Sequence, residues 1–115
     1  MMFDFEKLIV YQKAKSYNRK VVQFCKERRF NRRHKDQLQR ASFSILLNIA
    51  EGTGRFTKRD RRHFYIISRG SVFECVAVFD FLRDIEILDE SEFQLFYWQL
   101  DELSKILYSM IRKLS

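Results

Sequence analysis

Proline is absent from this chain, and glycine occurs only at positions 52, 54 and 70. With so few breakers, and with Leu, Ile, Lys, Arg, Glu and Gln plentiful, the first expectation is an all-α chain. Cysteine is scarce too. Cys25 and Cys75 lie inside apolar helical patterns, which suits small buried hydrophobes in a reducing cytosol better than a disulfide framework. No apolar run approaches the ~20 residues of a membrane span. The N-terminus carries Asp4 and Glu6 instead of a continuous apolar signal segment. The expectation is a soluble, cytoplasmic protein.

Histidine is limited to His34 and His63, both inside cationic runs, a setting better matched to anion contact than to metal binding. Paired metal-ligand histidines, a Ser/His/Asp-rich loop and a phosphate-cradling glycine loop are all missing. The turn Gly52-Thr53-Gly54-Arg55 superficially resembles a nucleotide loop, but it follows a helical pattern and lacks the Walker-A spacing. The sequence therefore points away from an enzyme and implies no cofactor and no metal.

What is present argues for one packed domain over residues 1–115. Hydrophobic residues make up 46% of the chain, twelve of them Phe, a content incompatible with disorder. Four amphipathic segments follow. The first runs from about Glu6 to Arg28, with Leu8, Tyr11, Ala14, Tyr17, Val21, Phe24 and Cys25 on one stripe. The second starts near Arg33–Asp36 and carries Leu38, Ala41, Ile45, Asn48 and Ile49. It ends at Gly52 or Gly54, where a left-handed C-cap is expected. In the third, Thr57 is the N-cap and the stripe is Phe64, Ile67, Ser71, Val78 and Leu82. The fourth opens with the capping-box pair Asp89 and Glu92. It continues through Phe93, Phe96, Leu100, Leu103, Leu107, Met110 and Leu114. Short connections make this an antiparallel up-down-up-down four-helix bundle.

Folding the second and third helices back on each other places Ala41 against Gly70, Arg40 near Ser71, and Gln37 near Glu74. A partly buried Glu74 would then find Arg40 or Gln37 across the interface, as a lone buried charge requires. Two readings stand for Glu74 and for Asn48: a structural polar residue, or a site residue. The structural one is preferred for both. Gln37, Arg40, Ser44, Asn48, Glu51, Ser71 and Glu74 form the expected polar seam.

The third helix is apolar nearly all round: Tyr65, Ile66, Val72, Phe73, Val76, Phe79 and Phe81 fall off its main stripe. Phe43, Leu46 and Leu47 on the second helix, and Tyr97, Trp98 and Tyr108 on the fourth, add to this surplus. Clusters of this kind mark interfaces, so self-association is expected; a thick monomeric core or a different protein partner remains the alternative.

The net charge of +7 is unevenly distributed. Lys26, Arg28, Arg29, Arg32, Arg33, His34 and Lys35 surround the first turn. The acidic third turn, with Asp84, Glu86, Asp89, Glu90 and Glu92, returns to that same end. Arg55, Lys58, Arg59, Arg61, Arg62 and His63 surround the second turn with no comparable acidic neighbour. Cations there oppose a helix macrodipole, which suggests phosphate binding, although a solvated charge run is the ordinary explanation. With no aromatic platform recognised beside them, Arg55, Lys58, Arg59, Arg62 and His63 are expected to contact backbone phosphates of RNA or DNA more than bases.

Arg40-Ala41, Ser44-Ile45, Asn48-Ile49-Ala50-Glu51-Gly52 and Arg55, followed by Gly70-Ser71 and Glu74, resemble the two signatures of the 23S rRNA intervening-sequence protein family. Leu8, Val10, Tyr11, Gln12, Lys13 and Ala14 look like its opening motif, with Tyr11 where Trp is usual. The chain departs from the pattern in its short basic first connection, Phe30–Arg33. A glycine common after the third helix is also missing around Arg83–Glu86. The resemblance implies bacterial origin and a four-helix bundle assembled into a ring-like homo-oligomer, with a pentamer favoured. Through a related group, the accessory proteins of diversity-generating retroelements, it also implies nucleic-acid binding and a reverse transcriptase or other protein partner. The expected function is a non-enzymatic, homo-oligomeric basic scaffold that binds nucleic acid through phosphates. The alternative is a protein-interaction and assembly module without nucleic-acid binding.

Overall fold

A computed structural model describes residues 2–115 and shows four helices: α1 (Ile9–Glu27), α2 (Arg32–Thr53), α3 (Lys58–Asp84) and α4 (Glu90–Lys113). A short 3-10 turn, Asp4–Lys7, precedes them. The helices pack as an antiparallel four-helix bundle of 43 × 29 × 22 Å, and α2 and α3 share the most extensive interface. Among the described residues, no helix is long and apolar enough to cross a membrane.

Local chemistry sets the helix ends. The Asn31 side chain accepts from Arg33 N at 2.8 Å and His34 N at 3.4 Å, so α2 starts at Arg32. Thr57 Oγ1 accepts from Asp60 N at 3.1 Å. Asp89 and Glu92 close a reciprocal capping box, with Glu92 N to Asp89 Oδ1 at 2.8 Å and Asp89 N to Glu92 Oε1 at 3.1 Å. The first helix differs from expectation. Leu8 is extended, with ψ 130°, so the 3-10 turn is separate and α1 begins only at Ile9.

The core stripes of α1 and α4 follow the sequence pattern closely. In α4, Phe93, Phe96, Leu100, Leu103 and Leu107 are buried, with Ile111 taking the last core position and Met110 at its edge. Phe79 and Phe96 stack with centroids 4.3 Å apart, and Phe24 meets Phe96 edge-on at 5.6 Å. This aromatic cluster ties α1, α3 and α4 together.

α3 departs from the expected stripe. Its buried residues are Tyr65, Ser68, Ser71, Val72, Cys75, Phe79 and Leu82, whereas Ile67 is exposed and Phe64 and Val78 are only half-buried. Tyr65, Val72 and Phe79, expected as surface surplus, are core residues, and so is Leu46 of α2. Three hydrogen bonds lock this phase: Ser68 Oγ donates to Ile45 O at 2.8 Å, Tyr65 Oη meets Thr53 Oγ1 at 2.7 Å, and Ser42 Oγ meets Cys75 Sγ at 3.4 Å. Ser42 also binds Tyr17 Oη of α1 at 2.9 Å, with both groups buried.

Two glycine expectations are corrected. Neither Gly52 nor Gly54 takes a left-handed backbone; Gly54 caps α2 at φ −82°, its N–H directed to Ala50 O and Glu51 O. Gly52 is needed for close packing instead, since a Cβ there would stand 2.9 Å from Phe64 Cβ and 3.0 Å from the Tyr65 ring. Gly70 does not face Ala41. It is exposed, with nothing within 4 Å of an added Cβ. Side chains tilt toward the N-terminus of their own helix, which shifts contacts such as Ser44–Ser71, Ser42–Cys75 and Thr53–Tyr65 to later residues than backbone level alone implies. The left-handed residue is Glu86, at φ 63°. Glu86 N bonds Arg83 O at 3.0 Å and Ile87 N bonds Leu82 O at 2.9 Å, a Schellman motif with glutamate where glycine is usual. This is the stretch where the family glycine is missing.

Three substitutions at these backbone sites have defined stability outcomes. Glu86→Gly should raise stability by about 0.5–1 kcal/mol in urea unfolding, because it relieves the left-handed penalty. Gly52→Ala should lower it by about 1–3 kcal/mol, while Gly70→Ala, in an open helical position, should leave it unchanged or raise it by up to about 1 kcal/mol. Equal destabilisation by both alanines would contradict the packing described.

Candidate nucleic-acid interface

The α2–α3 turn is a rigid structure built from its own polar groups. Arg55 N–H donates to Gly52 O at 3.1 Å, and Arg61 Nε donates to Arg55 O at 2.6 Å. The Arg55 guanidinium pairs with Glu51 at 2.9 Å and lies over the Phe64 ring, 4.5 Å from its centroid. Arg55 is thus held in place, and Glu51 serves the turn instead of the seam.

The remaining candidates are less constrained. Lys58, Arg59 and His63 are exposed at the start of α3, and His63 meets Phe64 edge-on at 5.6 Å. Arg62 Nε donates to Ser115 Oγ at 3.2 Å. Among the described residues, Lys58, Arg59 and Arg62 have no carboxylate within 4.0 Å. The topology returns the end of α4 to this turn, adding Arg112 and Lys113, which sequence reasoning did not include. Their position after the last α4 core residue, read with an antiparallel topology, was the available signal.

Phe56 was missed as well. At the apex of the turn, between Arg55 and Thr57, it is 100% exposed. Its place in the middle of the basic run was visible, but a reading based on phosphate chemistry had no use for it.

The polar seam is only partly assembled. Gln37 Nε2 donates to Glu74, although Glu74 is exposed and not partly buried. Ser44 Oγ meets Ser71 Oγ at 2.9 Å across the interface, and Asn48 Nδ2 donates to Ser44 O and Oγ at 2.9 and 3.0 Å. Asn48 therefore supports the crossing through Ser44, within its own helix. Arg40 stands exposed on α2 and, among the described residues, forms no ion pair with Glu74, which Gln37 engages, while Ser71 bonds Ser44.

A second surface lies between α3 and α4. A groove of about 450 Å³ is lined by Arg62, Ile66, Arg69, Gly70, Phe73, Tyr108 and Ile111. Beside it, a smaller one of about 280 Å³ includes Phe73, Ala77, Tyr97 and Ser104. Arg69 lies between the Phe73 and Tyr108 rings, 4.9 and 5.3 Å from their centroids, and its Nε donates to Ser104 O at 3.3 Å. Phe73, Tyr97 and Tyr108 are exposed here, as are Trp98 elsewhere on α4 and Phe43 and Leu47 on α2.

At the opposite end, the acidic turn compensates the first basic cluster mainly through Arg28. Its guanidinium pairs with Glu92 at 2.5 Å and donates to Ile87 O. Glu90 is occupied by Arg83 at 3.0 Å. The Arg28 hydrogen bonds hold the Glu92 carboxyl below the usual carboxylate range, against the opposing effect of burial. Since the folded-state pKa is depressed, this pair stabilises above the unfolded value of about 4.3, and the contribution is lost as pH falls through the folded value. Both side chains are about one-third exposed, so solvent screening limits the effect to about 1 kcal/mol. The stability difference between wild type and Glu92→Gln should therefore shrink in urea titrations between neutral pH and pH ~3. A pH-independent difference would assign Glu92 a purely capping role.

No curated protein sequence matches the chain. The solved structure of a Bacteroides thetaiotaomicron protein of unknown function, from the S23 ribosomal protein family, superposes with a TM-score of 0.85 at 20% identity. The match covers 90% of this chain and 98% of that one. At that identity the likeness is one of fold. The sequence profile of 23S rRNA-intervening sequence proteins matches residues 6–109. Spanning all four helices, that match shows that the chain belongs to the 23S rRNA-intervening sequence protein family.

Proposed function

We propose that this protein is a non-enzymatic, homo-oligomeric basic scaffold that binds RNA or DNA through backbone phosphates. The observation that carries the proposal is the charge at the α2–α3 turn. Among the described residues, Lys58, Arg59 and Arg62 have no carboxylate within 4.0 Å there, and Arg112 and Lys113 join them from α4. Lys58 and Arg59 stand in the first turn of α3, where the macrodipole disfavours a cation by about 0.3–1 kcal/mol. An incoming phosphate relieves that repulsion and meets the free backbone N–H groups of the helix start.

The exposed apolar residues support the homo-oligomeric part of the proposal. Phe43 and Leu47 of α2 lie on a different surface from Phe73, Tyr97 and Tyr108 of the α3–α4 groove. Two unlike apolar surfaces suit head-to-tail contact, and such contact closes into a ring when the rotation allows. The family resemblance favours a pentamer. Each added subunit would repeat the basic turn and raise avidity for a long polyanion.

The same apolar residues favour a second reading, an assembly module whose charge serves only solubility or an acidic protein partner. The two separate in one pair of measurements. Light scattering should give a mass several times that of the chain under either reading. Filter binding to RNA should fall with salt with a log–log slope of about −2 to −4, as three to five phosphate contacts require. Arg59→Glu combined with Arg62→Glu should weaken binding at least about tenfold. Unchanged binding in either test, or no binding at low salt, rejects the phosphate reading and leaves the assembly module.

A further inference from the structure

We infer that Phe56 is a stacking platform for an unpaired base, so that the basic turn takes single-stranded or looped nucleic acid in preference to duplex. The inference rests on the phosphate reading above and deepens it. Phe56 is fully exposed, whereas the other rings of this end have partners: Phe64 lies under Arg55, and Tyr65 is buried and bonded to Thr53. Turn apices ordinarily carry Gly, Asn, Asp or Ser, and no packing contact requires a phenyl ring here.

The surroundings restrict the occupant. Arg55 precedes the ring, and Lys58 and Arg59 follow it within the first turn of α3. A hydrophobic protein surface seated on Phe56 would desolvate those cations without neutralising them, at a cost in free energy. A nucleotide carries both chemistries: a π-face for the ring and a phosphate for the cations. Duplex ends aside, paired bases keep their faces stacked within the helix, so a ring on a protein turn reaches only unpaired ones.

The turn is also preorganised. The Arg61 to Arg55 O bond, the Gly54 cap and the Thr57 N-cap fix the backbone on both sides of Phe56. Little chain entropy is left to lose on binding, so more of the stacking energy appears as affinity. Nothing in such a contact reads base identity, and the binding should tolerate any sequence.

Fluorescence anisotropy with labelled oligoadenylate, and with an abasic sugar-phosphate strand of the same length, tests this directly. Wild type should prefer oligoadenylate by about fivefold or more. Phe56→Ala should bring the two probes level without changing the salt slope, and Phe56→Trp should restore the preference. Because the ring is fully exposed, Phe56→Ala should also keep the wild-type melting temperature. A preference that survives Phe56→Ala, or equal weakening on both probes, overturns the stacking role. If Arg59→Glu with Arg62→Glu still abolishes binding in that case, the phosphate reading stands alone. Loss of the oligomer in Phe56→Ala by light scattering would assign the ring to a second copy of the chain and overturn the inference. Absence of wild-type binding to either probe rejects both readings.

Discussion

The rotational phase of α3 governs what the rest of this bundle can do. It is set at the α2 interface, where Gly52 lets the Tyr65 ring approach the α2 backbone and Thr53 accepts or donates at the Tyr65 hydroxyl. Ser68 and the Ser42–Cys75 contact repeat the constraint further along. Rotating α3 by one residue toward Ile67 and Val78 would also carry Glu74, two helical turns after Ile67, onto the buried face. It would, in addition, break the Ser68–Ile45 and Tyr65–Thr53 hydrogen bonds, at about 0.5–1.5 kcal/mol each. Hydrogen bonding and the exclusion of Glu74 therefore select the phase together with apolar burial. The selected phase turns Phe73, Ile66 and Gly70 outward, creating the α3–α4 groove, and leaves Tyr65, Val72 and Phe79 inside.

This explains why some helices were legible in the sequence and one was not. In α4, polar residues interrupt the apolar ones at regular spacing, and the stripe from Phe93 to Leu107 could be read almost residue for residue. In α3, apolar residues occupy every side, so the period carries little phase information. The seam was misjudged for a related reason. Backbone level put Gly70 against Ala41, but side-chain tilt and helix rotation moved the true small-residue contact to Gly52. Similarly, the two glycines at the end of α2 suggested a left-handed cap, whereas the left-handed position is Glu86, where composition offers no hint. The Schellman hydrogen bonds hold Glu86 there at a conformational cost that the docking of Ile87 against the core helps to offset.

Charge was more legible than contact. The sequence placed the basic runs at opposite ends, and the topology keeps them there, but the pairing within each end depends on side-chain reach. Among the described residues, Arg28 alone of the first cluster forms an ion pair with the acidic turn, through Glu92, and it also donates to the Ile87 carbonyl. Arg83, outside that cluster, takes Glu90 and Asp80. Acids such as Asp84, Glu86 and Asp89 still lie at that end, so its field is mixed in sign. At the α2–α3 end, Glu51 is used by Arg55 and Asp60 serves the first turn of its helix, leaving the other cations without close compensation.

The consequence is that the two ends differ in what a polyanion would gain. At the α1–α2 end, a phosphate would meet nearby carboxylates and a salt bridge that already satisfies Arg28. At the α2–α3 end, it would meet cations held against an unfavourable helix dipole, with Glu51 taken up by Arg55 and Asp60 the one acid in the first turn of α3. The turn there is stiffened by Arg55, whose charge is already paired and whose guanidinium covers Phe64, so Arg55 acts as a brace while Lys58, Arg59 and Arg62 remain available. A flat ring projecting from the same brace adds a contact that charge alone cannot provide. Phosphate attraction is long-ranged and indifferent to strand structure, whereas stacking is short-ranged and demands an unpaired base. Combining the two on one rigid turn would let electrostatics set the rate of encounter and Phe56 decide which strands stay bound.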